Sequence, residues 1–598
     1  MPSTDQGSVA ATVAAAAQSR PSTVDGAAPT PDLVWRRLAA LVLLLAAVLF
    51  FARLGARALW ASEFRWAEIA REMLASHNYF WPTINGRVYY DKPLGSYWMV
   101  VAVAHLTGAM NEVAARLPCA LAGLLGVATL MLIARRLYGW RVAVWSGFIL
   151  ATSYSFVFFS RAASADVETV TGELIVLALF LRNEQRRGGW WVIGLWLVMA
   201  LTSLTKGLLG FVLPIMVIGV YCCLRDGWRE LVARLLHGSL ARRIGWIVER
   251  NRWFFNWTTI PAAMVGLAVY AVPFAISQRL MHSDRGLYLV YRENVVRYFE
   301  PFDHRGPIYL YLYIIFLLMA PWSVLLPGAL ANLHSAPADS DRRVHSDRFT
   351  LVYFWATFVF FTLSGSRRSY YLLPILPACA LIVARLVTSP IESLSSIAWR
   401  LTRIGYWLIA IATLGGFVAL APPEWILPRP LDQLPMLPAP LIYLAIWIAA
   451  VAGVIYALRR IEPARIGISL GIIAYLSMVW IYLFAMPAAE AYRPEKSFAK
   501  VVTATVGPEL GSLGFYNNLE GFYYIEPFMR HDLFLKPAAL HRAIARGRVR
   551  WLMVKERDLP RLKLNGTIVA REKTFPWQGA EGTRNTVVLM RLKAPNPG

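Results

Sequence analysis

Charged residues are scarce in this sequence. Asp, Glu, Lys and Arg make up only 16% of the 598 residues, whereas soluble globular domains carry about 25%. Hydrophobic residues account for 57%, and apolar runs long enough to cross a bilayer recur along most of the chain. The composition therefore excludes a series of soluble domains, a coiled coil and a disordered chain. It predicts an all-α polytopic membrane protein.

Cysteine is also rare. The chain has four cysteines, each in or at the end of an apolar run: Cys119, Cys222, Cys223 and Cys379. This excludes a secreted disulfide scaffold, and we expect neither a disulfide nor a cysteine metal cluster.

Acidic residues are outnumbered by basic ones, 36 to 60, which gives a formal net charge of +24. Lys and Arg gather in short loops between apolar runs, as they do in the cytoplasmic loops of membrane proteins. Because no basic stripe with interleaved aromatics lies on a soluble stretch, we expect no nucleic-acid partner.

The basic loops predict a topology with thirteen transmembrane helices. Residues 1–32 are predicted to be a disordered cytoplasmic tail, and 33–487 the membrane domain. Strand and helix patterns in 488–598 predict a small α/β domain outside the membrane. The run 94–109 would invert every later loop if it crossed, so we expect it to lie in the outer leaflet or to be partly re-entrant. The predicted spans are 38–54, 115–134, 142–159, 170–181, 190–204, 208–224, 257–277, 307–329, 349–364, 370–387, 404–421, 440–457 and 466–485.

Candidate functional residues collect at the outer boundary of this predicted bundle. Glu63 begins a predicted helix directly after the first span, where it acts on a substrate or simply complements the helix dipole. Lys92, flanked by aromatics, either holds a phosphate at headgroup level or extends its stem to the interface. The first external loop contributes the candidates Ser62, Glu63, Arg65, Tyr89, Tyr90, Asp91 and Lys92.

Two further groups lie in later loops. Asp166 and Glu168 form an Asp-x-Glu pair at a membrane boundary, where acids are costly and tend to be functional. Such a pair can orient a cationic substrate, act as a base or hold a divalent metal. Arg367 and Arg368 break the positive-inside rule, which favours an anionic lipid headgroup over a plain interfacial anchor. The nearby Tyr370 either contacts that headgroup or belongs to an aromatic belt, and Lys206 either extends to the interface or contacts phosphate.

Several segments between about residues 55 and 385 carry a family resemblance. They include FRWAEIAREM, NGRVYYDKPLGSYW, AARLPCALAGLLG, LTKGLLGFVLP, PWSVLLP and SGSRRSYYLLPILP. In this order they resemble the bacterial aminoarabinose transferases (ArnT), which belong with the protein O-mannosyltransferases among the GT-C membrane glycosyltransferases.

The resemblance implies a helical bundle with interfacial helices over a periplasmic cavity in a bacterial inner membrane. It implies a polyprenyl-phosphate-linked sugar donor and lipid A, or another periplasmic acceptor, with membrane lipids around them. Lys92, Arg297, Arg367 and Tyr370 would lie along the path of the donor phosphate, and Asp166 matches an acid of the family's second external loop.

The sequence departs from the family at three positions. Ser62 stands where the family has its presumed catalytic Asp, so Glu63 or Asp166 takes that role or no strong base is needed. An acceptor phosphate is already ionised near neutral pH, whereas an acceptor hydroxyl needs a base within about 3 Å. Asp91 replaces a Glu and Asn294 a His, which weakens a metal site carried over from the family. The sequence therefore assigns no cofactor and leaves the binding of a divalent metal open.

The hypothesis that the resemblance favours is a glycosyltransferase acting on lipid A. Protein O-mannosylation is the alternative within enzymes. A transporter or flippase is the alternative from another class, but it should show pseudo-symmetric halves with interrupted helices. The sequence has no such repeat. A pseudoenzyme that binds the lipid carrier without transferring sugar is kept open by Ser62.

Overall fold

The computed structural model describes residues 31–60, 62–90, 92–237, 239–300, 305–335, 341–420, 440–490, 495–517, 523–525, 532–572 and 586–593. The described helices of the first half are α1 Pro31–Phe51, α2 Glu63–Ser76, α3 Gly95–Thr107, α4 Glu112–Tyr138, α5 Trp140–Ala151, α6 Tyr154–Ser160, α7 Asp166–Asn183, α8 Trp190–Lys206, α9 Leu209–Leu224, α10 Trp228–Leu236, α11 Leu240–Arg250, α12 Thr259–Met281, α13 Arg285–Val290 and α14 Arg297–Phe299. Those of the second half are α15 Leu310–Leu318, α16 Leu326–Ser335, α17 Asp341–Leu363, α18 Leu376–Val387, α19 Ser396–Leu420, α20 Pro440–Arg459, α21 Pro463–Val479, α22 Met486–Ala489, α23 Glu495–Val506, α24 Pro537–Ala545 and α25 Leu559–Leu562. A π-helix runs over Tyr291–Val296 and another over Trp480–Ala485, and 3-10 turns cover Trp322–Leu325, Ser369–Ile375, Ile391–Ser393, Gly507–Ser512 and Glu556–Asp558.

Apolar helices dominate the described chain. Each of the thirteen predicted apolar runs overlaps a helix or consecutive helices. Five helices are long and apolar enough to cross a membrane, or up to seven if each of two bent pairs counts as one span. The chain is therefore a multi-pass membrane protein, while the count of thirteen stays a prediction.

Long α4 illustrates why these segments are helical. Its N-cap Asn111 accepts a hydrogen bond from the backbone N–H of Ala114 at 2.9 Å, which satisfies one of the donors that a helix start leaves open. Gly139, with φ 92°, ends the helix in a conformation that a glycine adopts without strain. Between these ends the helix is mostly buried in the bundle.

A layer of shorter elements covers one end of the bundle. Helices α2 and α3 pack together through Trp66 and Tyr97, and an antiparallel hairpin of β1 Thr83–Ile84 and β2 Arg87–Val88 joins them. Helix α3 has 13 residues and so is about 20 Å long, too short for a hydrocarbon core of about 30 Å. This length agrees with the expectation that run 94–109 does not cross.

The C-terminal residues form a five-stranded sheet in the order β4-β3-β5-β7-β6. Its strands are β3 Leu513–Tyr516, β4 Asp532–Phe534, β5 Trp551–Lys555, β6 Gly566–Arg571 and β7 Val587–Leu592. The strands β4, β3 and β5 are parallel, whereas β5, β7 and β6 are antiparallel. The strand and helix patterns within 488–598 thus correspond to these strands and to helices such as α24.

Tyr524 and Lys496 join this C-terminal unit to the layer above the bundle. The Tyr524 hydroxyl donates to Glu112 at 3.0 Å and accepts from the backbone N–H of Leu59 at 2.8 Å. Lys496 pairs with the same Glu112 at 2.8 Å. The C-terminal unit therefore lies against the same end of the bundle as α2 and the hairpin.

Candidate active site

A cavity of about 1420 Å³ opens between the layer of short elements and the bundle. Its walls come from α2, β2, the 161–166 turn, the end of α8, the π-helix 291–296 and the segment 364–371. The predicted residues in its lining are Ser62, Glu63, Arg65, Tyr89, Tyr90, Lys92, Asp166, Lys206, Arg297, Arg368 and Tyr370. The fold therefore brings together side chains from six separate stretches of sequence.

Three predicted residues are not placed in that lining. Asp91 lies outside the described residues. Arg367 donates to the backbone oxygens of Gly306 and Thr362 at 2.9 and 3.1 Å, so its guanidinium ties two loops together. Glu168 instead accepts from the Cys119 thiol at 3.1 Å. Residues 166–183 are helical. Side chains two positions apart on a helix point in directions that differ by about 200° around its axis, so Asp166 and Glu168 face different ways.

Glu63 is held by four hydrogen bonds. Both of its oxygens accept from the Arg116 guanidinium at 2.8 Å, one oxygen also accepts from the backbone N–H of Ala163 at 2.9 Å, and the other from that of Trp60 at 2.9 Å. The residue is only 6% exposed. This arrangement leaves its lone pairs occupied and gives Glu63 the geometry of a structural carboxylate.

Arg116 is a residue of this region that the sequence reasoning missed. It is 3% exposed and, besides Glu63, donates to the backbone oxygens of Leu54, Arg57 and Ala58 at 2.8–2.9 Å. An arginine inside an apolar run is the signal that could have revealed it, because such charges need a partner. The ion pair fixes the turn that carries Ser62 to the start of α4.

Ser62 itself stands at the N-cap of α2, and its side chain makes no capping hydrogen bond. The residue lines the cavity. Ser62 thus lies at the cavity beside Glu63, which is paired with Arg116.

Asp166 forms an ion pair with Lys206 across the cavity wall. The Lys206 ammonium lies 5.9 Å from the ring centre of Tyr370 and 5.5 Å from that of Tyr371, within cation–π range. Arg368 donates to the Tyr370 hydroxyl at 2.6 Å. A carboxylate, two cations and two phenols therefore form one polar cluster in this wall.

Lys92 and Arg297 converge on a single carboxylate. Glu293 lies 2.7 Å from the Arg297 guanidinium and 3.7 Å from the Lys92 ammonium. Glu293 belongs to the π-helix 291–296, a geometry that is frequent at functional sites. The two predicted phosphate ligands thus share a resident anion that the sequence reasoning did not assign.

Asn294, beside Glu293, connects the π-helix to the end of α8. Its side-chain oxygen accepts from the backbone N–H of Leu208 at 2.8 Å, and its amide donates to the Val290 oxygen at 2.9 Å. Gly207 has φ +118°, and a Cβ there would lie 2.6 Å from the Asn294 oxygen. Glycine is therefore required at 207. The hydrogen bond between Asn294 and Leu208 holds the π-helix, and with it Glu293, close to the wall formed by Asp166 and Lys206.

The rest of the cavity lining includes one further acid, Glu68, three further arginines, and apolar side chains. The arginines are Arg57, Arg161 and Arg292. Burial raises the pKa of Glu68 from 4.5 to about 7, even though Arg71 lies 2.5 Å away. The apolar side chains of the lining include Phe158, Phe159, Leu208, Leu209, Val212, Phe360 and Phe361. Among the described residues, no group of three or more His, Cys, Asp and Glu side chains is arranged to hold a metal ion.

Comparisons with known proteins agree on the class. Residues 91–243 match the family model described as dolichyl-phosphate-mannose-protein mannosyltransferase. An undecaprenyl phosphate-alpha-4-amino-4-deoxy-L-arabinose arabinosyl transferase of Pseudomonas fluorescens is 27% identical over 421 residues, which cover 68% of this chain and 69% of the relative. An arabinosyl transferase of the same name from Pseudomonas paraeruginosa is 27% identical over 63% of this chain and 65% of its own length.

The fold is similar to that of a solved transferase. The structure of ArnT from Cupriavidus metallidurans in the apo state has a TM-score of 0.64 at 20% identity, over 93% of this chain and 98% of that one. The same protein bound to undecaprenyl phosphate has a TM-score of 0.63 at 21% identity, with the same coverage. The likeness to solved structures establishes the GT-C fold, and together with the sequence matches it confirms the predicted resemblance.

Proposed function

We propose that this chain, a membrane glycosyltransferase similar to ArnT, transfers a sugar from a polyprenyl-phosphate donor to lipid A. We place the reaction at the periplasmic face of a bacterial inner membrane, with thirteen spans and residues 488–598 on the periplasmic side. One observation carries the proposal: Lys92 and Arg297 meet at one carboxylate inside a cavity that is also lined by aromatic and aliphatic side chains. A polyprenyl phosphate has this combination of a small anion and an apolar tail.

The donor phosphate would take the place of the Glu293 carboxylate between the two cations. Its prenyl tail would run along the apolar wall that includes Phe158, Leu209 and Phe360. As the bond between the anomeric carbon and the phosphate oxygen breaks, the bonding electrons stay on the phosphate and its negative charge grows. Preorganised cations therefore stabilise the transition state more than the ground state.

An acceptor oxygen attacks the anomeric carbon opposite the leaving phosphate, so the configuration inverts. A lipid A phosphate already carries a reactive anionic oxygen, and no proton has to be removed. The four hydrogen bonds to Glu63 favour Asp166 over Glu63 if a hydroxyl acceptor needs a base. We propose that Asp166, with Lys206, positions the acceptor.

The test of this proposal is the Lys92→Ala variant. We expect kcat/KM to fall about a hundredfold, as when one preorganised donor of a transition-state anion is removed. Arg252→Ala removes an exposed cation on another part of the chain, 43% exposed, and should retain activity. Near-normal turnover of Lys92→Ala at a normal melting temperature would sink the assignment of the phosphate site.

Mass spectrometry of lipid extracts identifies the acceptor. Loss of the sugar from lipid A in cells without the gene, with accumulation of the lipid-linked sugar, supports the proposal. Accumulation with unchanged lipid A contradicts a lipid A acceptor. That result would favour the second candidate, protein O-mannosylation. The match of residues 91–243 to a protein mannosyltransferase model supports this candidate.

A further inference from the structure

A second cavity lies where the C-terminal unit meets the β1–β2 hairpin. Its volume is about 400 Å³. Five of its lining residues are cations: Arg87, Lys536, Arg542, Arg546 and Arg548. The other five are apolar, so no acid belongs to the lining.

The positive charge of this second cavity is largely uncompensated within the chain. Arg548 pairs with Asp532 at 2.8 Å. In the described part of the chain, no ion pair is formed by Arg87, Lys536, Arg542 or Arg546. Like charges that share a concave surface repel one another unless an anion lies between them. Arginine forks in particular match phosphate oxygens bidentately.

The position of Arg87 links the second cavity to the first. Arg87 lines the second cavity, while its neighbours Val88 and Tyr89 line the first. Successive side chains of a strand point to opposite faces, so the two-residue strand β2 forms the partition between the cavities. A ligand held at the second cavity therefore lies next to a wall of the first.

The apolar part of the lining narrows the class of ligand. Leu535 is 61% exposed beside these cations, and Leu533 and Phe534 of strand β4 also line the cavity. A free inorganic anion makes no favourable contact with exposed apolar surface. A phosphorylated amphiphile would use both the cations and Leu535.

We propose that this second cavity binds the phosphorylated headgroup of the glycolipid acceptor and presents it to the first cavity. The inference rests on the proposed function for the identity of the ligand, but the binding itself needs no transfer reaction. Arg542 and Arg546, on the last turn and end of α24, provide the phosphate contacts, and Arg87 marks the side facing the donor.

The experiment is a direct binding measurement on the full-length protein in nanodiscs. The probes are bisphosphorylated lipid A and its dephosphorylated form. We expect the double variant Arg542→Ala/Arg546→Ala to bind the phosphorylated probe about tenfold more weakly. The dephosphorylated probe should bind weakly to both proteins. The control Arg557→Ala/Arg561→Ala removes the same charge from the same unit, outside the cavity, and should bind as the wild type does.

The outcomes are separable from those of the transfer reaction. Weaker binding in the double variant alone supports the acceptor site even if no sugar transfer is detected. Unchanged binding in the double variant overturns it, even if the enzyme is active. Vesicles of phosphatidylglycerol provide a further arm: if they compete as well as lipid A does, the cavity is a general contact for anionic lipids and the proposal fails.

Discussion

Glu293 is the residue whose replacement tests the proposed donor site most directly. Its carboxylate lies between Lys92 and Arg297, at 3.7 and 2.7 Å from their nitrogens. A donor phosphate that binds these cations has to displace it. Glu293→Gln keeps the size of the side chain and removes the charge, so we expect undecaprenyl phosphate to bind more tightly to the variant.

The structure sets the magnitude of this effect. Two unit charges 3.7 Å apart attract by about 4.5 kcal/mol at an effective dielectric constant of about 20. Lys92 and Glu293 are 21% and 14% exposed, and the desolvation of the ion pair offsets part of this attraction. We expect a net gain of about 1.4–2.8 kcal/mol, which is a tenfold to hundredfold lower Kd.

The assay is a titration of the purified full-length protein with undecaprenyl phosphate. Glu249→Gln is the matched control, because Glu249 also pairs with an arginine but is 64% exposed on α11. Weaker binding to Glu293→Gln would refute the reasoning, since Glu293 would then be orienting the cations rather than competing with the phosphate. Unchanged affinity would place the phosphate elsewhere in the cavity.

Two further predictions concern the layer of short elements. Arg116→Ala leaves the buried Glu63 without its ion-pair partner, and we expect a loss of about 3–5 kcal/mol of stability, measured by chemical unfolding in detergent. Similar stability of Arg116→Ala and the wild type would contradict the structural role of this pair. The pKa of Glu68 is raised from 4.5 to about 7 by burial, so the folded state holds a proton more tightly and stability falls as pH rises through that window. Glu68→Gln should remove this decline between pH about 4.5 and 7, and an identical decline in the variant would mean that another group titrates.

The sequence predicted the features that depend on local patterns. An apolar run is a property of consecutive residues and needs no knowledge of distant contacts. Each predicted run accordingly overlaps a helix. Lys92, Arg297 and Tyr370 were predicted from charge at the outer boundary and from the resemblance, and all three line the cavity. The roles assigned to them stay predictions, because position alone does not establish chemistry.

Pairings between distant segments were not predictable in this way. Glu63 and Arg116 are 53 positions apart, and no local pattern indicates which cation a carboxylate will meet. The Glu293 bridge depends likewise on how the π-helix packs against the first loop. Glu168 was grouped with Asp166 as an Asp-x-Glu pair at a membrane boundary. The helix α7 begins at Asp166 and turns the two acids apart.

Together, Ser62, Glu63 and the second cavity bear on the choice of acceptor. A serine hydroxyl cannot act as a base by itself, and the neighbouring carboxylate has its lone pairs occupied by Arg116 and two backbone N–H groups. Asp166 already forms an ion pair with Lys206, so its carboxylate is engaged by a resident cation. An acceptor that must lose a proton is therefore poorly served by this cavity, whereas a phosphate is not. Because the adjoining cavity offers five cations, the chemistry of both cavities favours the same phosphorylated acceptor.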